Sequence, residues 1–439
     1  MHVCLLLAGT FPPDERTRSH AAALREAGHT VTVICRGGPR EAESETVDGI
    51  DVRRVPDETL YAGVRGKIDG AQYALRAIRP AWLRSVKEID EERAIDACCA
   101  MDLRLVKTAL QAGDAHDAPV IADLPGNPPA LERQRNRTER WGDRLRNPRK
   151  LARRLFLSPW RLGRLESGPL GDVDRLVTTC EEARARYVRE VGIDPRRVAV
   201  VRDTAADPNA PIEIDDHGLG FDPGAAFVVT AFAGGDHGVP ADLTDLETLV
   251  AAAARAADEV VDLHLVLVGD LDSAAAGDLE TQARRAVAGG RLTFRTATDP
   301  DRVPAYVAAS DVCVFPARSS AVTETAIPPT AFWAMAMGVP VVTTDVGPAS
   351  RIIGRTDAGR VVSVGDREAL TAALVALADP DTAAEHGSSG QRAVERRYHR
   401  ERDATRLASL YESLSQAELG DGDPIVELRT ARRGGSTAP

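Results

Sequence analysis

Lysine is nearly missing from this chain. Four (Lys67, Lys87, Lys107, Lys150) occur among 55 basic residues, against 66 acidic ones, and the net charge is -11. Acid excess with little lysine keeps a surface hydrated at high salt, a halophile-like balance, although a GC-rich genome also favours Arg over Lys. The negative sign argues against general nucleic-acid binding, which stays only as a weaker alternative for the arginine-rich stretch from Arg133 to Arg164. No apolar run approaches the roughly 20 residues of a membrane span. The opening strand-like VCLLLAG follows no basic segment and leads to no cleavage site, so a cytoplasmic protein is expected. The six cysteines show no C-x-x-C spacing and lie in or beside apolar runs, so reduced, buried thiols are expected instead of disulfides or metal ligands. With no G-x-G-x-x-G, P-loop or H-E-x-x-H, the usual oxidoreductase, kinase and zincin readings fall away. Asp270-Leu271-Asp272 and Asp421-Gly422-Asp423 have the D-x-D form, but an Asp-rich chain yields such triplets readily. No cofactor and no metal are expected.

What is present is alternation. A strand at His2 to Leu7, a loop with Gly9 and Pro12-Pro13, a helix from about Thr17 to Ala27 and a strand at Thr30 to Cys35 make a β-loop-α-β unit. Its loop belongs at the carboxyl edge of a parallel sheet, where ligands bind. Apolar runs at Ala94 to Cys99, Pro119 to Ala122 and Val173 to Thr178 read as later strands, and Pro208 to Gly224 reads as a linker. The pattern then restarts at Phe227 to Phe232 and alternates through strands at Leu263, Leu292 and Val312. Near its end, FWAMAMGVPVVTTD (Phe332 to Asp345) reads as a helix, a Gly stop and a buried strand. The expected fold class is α/β, with two doubly wound Rossmann-like domains facing across a cleft. The expected division is 1–205, 206–400, a helix at 401–418 crossing back to the first domain, and a disordered tail at 419–439.

The segment from Pro328 to Val341 resembles the donor-site signature P-x-K-x-x-E-x-M-A-x-G-x-P-V of family-4 (group 1) glycosyltransferases, with Thr330 at the Lys position and Trp333 at the Glu position. Pro13 to Arg16 with the following helix, Val173 to Ala185, Val198 to Thr204, Leu265 to Gly269, Asp311 to Pro316 and Asp345 to Ile353 resemble further segments of that family, in order. The resemblance implies a glycosyltransferase-B arrangement. It also implies metal-independent transfer, with retention, from a nucleotide-sugar held by the second domain to a lipid- or glycan-linked acceptor on the first.

A diphosphate leaving group needs positive charge or oriented N–H groups. The family's Arg and Lys after the first strand of the second domain are missing from TAFAGGDHGVPADLTD, where His237 is the side chain that can become cationic. Trp333 cannot accept hydrogen bonds from ribose hydroxyls, and Glu324, one position off the family's paired-glutamate spacing, is the candidate to replace it. Ser319, Ser320, Thr323 and Thr325, just before a helix start marked by Pro328-Pro329, offer hydroxyls to a phosphate or serve as loop and cap residues. In the first domain both family histidines are replaced. Asp123 and Asp102 remain as candidates to orient an acceptor hydroxyl or as strand-end caps. Arg16, which matches an arginine of the family's entry loop, and Arg18 contact a phosphate or form a solvated pair.

The stretch from Arg133 to Arg164 is dense in arginine and interleaved with apolar residues. Its Arg149, Lys150, Arg153, Arg154 and Trp160 suit peripheral contact with an anionic membrane at its inner face, or a merely solvated helix. Two function classes follow: a transferase, or a catalytically inactive relative that binds glycan or a partner in a glycosylation pathway.

Overall fold

A computed structural model describes residues 1–38, 41–56, 73, 75–138, 158–204, 219–234, 240–269, 292–295 and 302–414, with backbone alone at 138 and 292–295. The chain divides into two compact units, Met1–Val201 with Asp403–Pro439, and Arg202–Arg402. Both are Rossmann-like.

The first unit is built on strands β1 (His2–Leu6), β2 (Thr30–Gly37), β3 (Ser44–Val47), β4 (Ile50–Pro56), β5 (Ala97–Ala100), β6 (Val120–Asp123), β7 (Arg175–Thr178) and β8 (Val198–Val200). They lie in the order β3-β4-β2-β1-β5-β6-β7-β8. Only β3 and β4 pair antiparallel; the other neighbours are parallel. Helices cover both faces of such a sheet, so β1 and β5 are buried along their whole lengths and read as unbroken apolar runs. The β3–β4 hairpin is absent from the sequence reading. Its turn is Asp48-Gly49, both at positive φ (50° and 76°), the two-residue geometry that matches strand twist.

The first helix spans Glu15–Glu26 and starts two residues earlier than expected, because the Asp14 carboxylate caps it by accepting from the Thr17 backbone N–H. Arg16 and Arg18 therefore lie in its first turn and not in a loop. The final helix, Arg400–Glu412, begins in the second unit, but from Asp403 onward it belongs to the first. Leu407, Leu410, Tyr411 and Leu414 join a core cluster with Val3, Leu5, Val33 and Cys99. Each fully buried side chain of this size contributes about 2 kcal/mol of transfer free energy.

The second unit has six parallel strands: β9 (Phe227–Phe232), β10 (Leu263–Val268), β11 (Leu292–Arg295), β12 (Val312–Phe315), β13 (Val341–Thr344) and β14 (Gly359–Val362). Their order is β11-β10-β9-β12-β13-β14. The helix Pro329–Ala336 stops before Gly338, whose φ of 74° suits a glycine, and the chain re-enters the sheet as β13. Helix Pro380–Arg397 crosses this helix closely at Gly387 and Gly390. A Cβ at Gly387 would collide with the Gly338 carbonyl, and one at Gly390 would press on Met335.

All six cysteines are buried and free, as the sequence suggests. Burial pushes Cys98 and Cys313 up to about 12, so they are inert thiols.

Candidate functional site

Among the parallel strands of each sheet the order reverses once, and ligands of open parallel sheets bind outside the carboxyl ends of the strands at that point. The reversal falls between β1 and β5 in the first unit and between β9 and β12 in the second.

At the edge of the first sheet, Asp123 ends β6 and is 1% exposed. Its Oδ1 accepts from Arg16 Nε at 2.8 Å and Nη2 at 2.6 Å. The Nδ1 of His20 lies 2.8 Å from Oδ2, and its Nε2 lies 3.0 Å from the Tyr411 hydroxyl of the final helix. Arg16 Nη2 also donates to the Val201 carbonyl at 3.3 Å. Burial alone would raise the Asp123 pKa, but Arg16 and then His20 outweigh it and hold the carboxyl below its ordinary value. Of the two readings the sequence leaves open, an acceptor contact or a structural partner, the geometry is the structural one. Both its oxygens are engaged by side chains of the first helix, so it positions Arg16. His20 escaped the sequence reading. Its signal was the i, i+4 spacing from Arg16, which puts the two on one helix face.

Arg18 is half-exposed and pairs with Glu15 on its own helix, the solvated alternative. Asp102 caps the turn after β5, accepting from the Arg104 backbone N–H at 2.8 Å, and the Arg104 guanidinium engages both its oxygens. Burial opposes ionisation, yet Arg104 holds Asp102 below its usual value. Asp102 is thus a cap and a partner for arginine, and it does not present an open carboxylate to a hydroxyl.

In the second unit, β12 runs into the loop 316–328. Ser320 Oγ accepts from the Val322 and Thr323 N–H groups at 3.2 and 3.1 Å. Thr323 and Thr325 are buried and donate their hydroxyls to the loop carbonyls of Arg318 (2.7 Å) and Ala321 (2.9 Å). These two threonines shape the loop in this arrangement, the second of the two alternatives the sequence leaves open for them. Ser319 donates to the exposed Glu324 at 3.0 Å. The loop is folded against Gly347 (φ 59°), the first residue of helix Gly347–Thr356, where a Cβ would collide with the Thr323 carbonyl oxygen. That helix start has no side-chain cap hydrogen bond, and a proline, Pro348, sits in its first turn.

One cation on this loop escaped the sequence reading. Arg318 Nη2 donates to Asp245 at 2.9 Å, and the Arg318 N–H donates to the Leu243 carbonyl at 2.7 Å. Thr244 and Ala317 form an isolated bridge beside them, fastening the chain after β9 to the chain after β12. Arg318 remains 46% exposed. Its signal was position, three residues past a strand end at the reversal point. Trp333 is half-buried and packs on the second unit's core, while Thr330 is fully buried. His237, Arg149, Lys150, Arg153 and Arg154 lie outside the described residues. Trp160 is 67% exposed, with the Arg164 guanidinium 4.5 Å from its ring centre.

Two parallel sheets with binding edges at their reversal points define a protein of the two-domain glycosyltransferase-B class. Residues 13–204 match the glycosyl transferase 4-like domain, and residues 235–379 match glycosyl transferases group 1. The chain belongs to the group 1 glycosyltransferases.

Over 89 residues it is 38% identical to the lipopolysaccharide core biosynthesis mannosyltransferase LpcC of Rhizobium leguminosarum bv. viciae, which is 20% of this chain and 24% of that one. The chain thus matches about a quarter of that relative's length. Its fold is similar to sucrose-phosphate synthase from Thermosynechococcus elongatus, with a TM-score of 0.69 and 19% identity over 95% of this chain and 100% of the other. It is also similar to Anabaena HepE in complex with UDP and glucose, with a TM-score of 0.66 and 15% identity over 94% and 99%. WaaG, a glycosyltransferase of lipopolysaccharide biosynthesis, follows at 0.58 and 14%, over 95% and 100%.

Proposed function

We propose that the protein transfers a sugar from a nucleoside-diphosphate-sugar to a glycan- or lipid-linked acceptor in glycan biosynthesis, with retention and without a metal. Family membership supports the reaction class, and the relatives' roles in lipopolysaccharide synthesis and UDP-sugar binding support the acceptor and donor classes. The observation that carries the reading is Arg318, held by Asp245 in a loop folded onto the uncapped start of helix Gly347–Thr356. When the bond from the anomeric carbon to the diphosphate breaks, its electron pair goes to a phosphate oxygen. A guanidinium and oriented N–H groups nearby stabilise that charge. Glu324, exposed beside the same helix start, is the candidate to accept from the donor's hydroxyls.

Calorimetric titration with a panel of nucleoside diphosphates and nucleotide sugars, in high salt, tests this. Saturable binding with millimolar or better affinity is expected. Trp333, half-buried where the resemblance calls for a glutamate, favours the catalytically inactive alternative, and no binding across the panel would establish it. We also place the protein at an anionic membrane face, on the strength of exposed Trp160 and the neighbouring basic stretch. Neutralising Arg149, Lys150, Arg153 and Arg154 is expected to weaken sedimentation with phosphatidylglycerol vesicles.

A further inference from the structure

The first unit holds a second group of arginines, separate from the Arg16–Asp123 pair. The buried Tyr73 is its centre. The Arg79 guanidinium carbon lies 3.9 Å from the Tyr73 ring centroid and 5.7 Å from that of Trp82. Arg161, on helix Pro159–Ser167, lies 5.8 Å from the same Tyr73 ring and donates to the Tyr73 carbonyl at 3.0 Å. Arg104 completes the set through its grip on Asp102.

The placement follows from topology. Asp102 and Arg104 come just after β5, Arg36 is the penultimate residue of β2, and β1 lies between those two strands, at the reversal point of the first sheet. Arg79 directly precedes helix Pro80–Glu92, and its backbone N–H donates to Thr108 at 3.0 Å.

Among the described residues, positive charge outnumbers negative here. The Asp102 carboxylate is engaged by Arg104, whose other negative neighbour is the buried Glu132. Among the described residues neither Arg79 nor Arg161 makes an ion pair with a carboxylate. Burial is the main cause holding the Arg79 pKa below its ordinary value; Tyr73 opposes it, and the like charges of Arg104 and Arg36 add to it. An arginine stacked on a ring uses its face, which leaves the N–H edge of the fork for a planar or tetrahedral anion. A phosphate matches such a set in charge and in acceptor number.

We propose that Arg79, Arg161 and Arg104 bind a phosphate group on the acceptor, so that the sugar is transferred to a phosphorylated substrate. This rests on the transferase reading and deepens it. Tyr73 and Trp82 fix the arginine planes, and Asp102 positions Arg104.

The test is calorimetry on the full chain with three probes: glucose 6-phosphate, inorganic phosphate, and vesicles of phosphatidylglycerol against phosphatidylcholine. UDP is titrated in parallel. Millimolar or better binding of glucose 6-phosphate, competed by inorganic phosphate, supports a small soluble acceptor. Binding to phosphatidylglycerol vesicles alone supports a lipid-borne phosphate. In either case Arg79→Gln and Arg161→Gln should each weaken binding roughly tenfold or more, while Arg196→Gln, an exposed residue of the same unit, should not. Unchanged UDP affinity and melting temperature in the variants exclude misfolding. Arg161→Gln, whose loss disturbs no ring stack at close range, covers the case in which Arg79→Gln fails to fold. No phosphate binding, or binding indifferent to both substitutions, overturns the proposal. If UDP still binds, only the phosphate site has failed; if UDP also fails, the transferase reading has failed with it.

Discussion

The two sheet edges solve a similar problem with different chemistry. At the first, side-chain charge dominates: Arg16 is locked by the buried Asp123, and Arg104 by Asp102. At the second, hydroxyls are turned inward to build a loop, a helix start is left uncapped, and the described cation on that loop is the half-exposed Arg318. One topology thus presents a stiff charged surface in one unit and a backbone-lined one in the other. The reversal point fixes where a ligand goes, while the residues after each strand decide what kind.

The comparison breaks most visibly at Asp123. Asp123→Ala leaves Arg16 and His20 buried without their acceptor and should cost about 3–5 kcal/mol in urea unfolding. Arg318→Ala is the opposite case. It should lower kcat roughly a hundredfold through lost stabilisation of the leaving group, while stability moves by less than about 1 kcal/mol because Arg318 is half-exposed and the Asp245 carboxylate keeps its hydrogen bonds to Thr248. Gly347→Ala strains a positive-φ position and pushes the loop off the helix start, at about 1–3 kcal/mol, with a matching loss of nucleotide affinity by calorimetry.

The smallest effect is a change of slope. The folded Asp123 pKa lies below its unfolded value of about 3.9. The unfolded chain therefore binds more protons across that window, and stability rises with pH there. The contribution is present above the unfolded value and lost as pH falls through the folded one. Urea midpoints at pH 3, 4 and 7 should show a shallower acid decline in Asp123→Asn than in the parent.

Most strand positions were legible because parallel strands buried on both faces write themselves as apolar runs, as in His2–Leu6 and Val312–Phe315. The hairpin at Ser44–Pro56 was not, since its exposed edge carries Ser, Glu and Thr instead of an apolar run, and only Asp48-Gly49 marks it. The long helix Pro380–Arg397 also went unread. Its glycines lower helix propensity but permit the close crossing at Gly338, a tertiary gain invisible along the chain. Candidate residues were found by position after a strand, and their alternatives stayed open where a partner came from far away. Asp123 meets Arg16 across more than a hundred residues, and His20 meets Tyr411 across nearly four hundred. Linear spacing carries no information about such pairs. Arg79 and Arg161, gathered on Tyr73 from separate helix starts, were hidden for the same reason.

The late arrival of Tyr411 bears on how the molecule is made. Because the first unit is completed by Asp403 onward, the second is in effect an insertion within it. A nascent chain emerging from its N-terminus holds all of the second unit before Leu407, Leu410 and Tyr411 reach the first sheet. Until that segment emerges, His20 lacks its hydroxyl partner and the Val3–Leu5 face lacks its cover. A chain cut short before residue 403 would therefore hold a complete second unit and an incomplete first one, a ready substrate for chaperones.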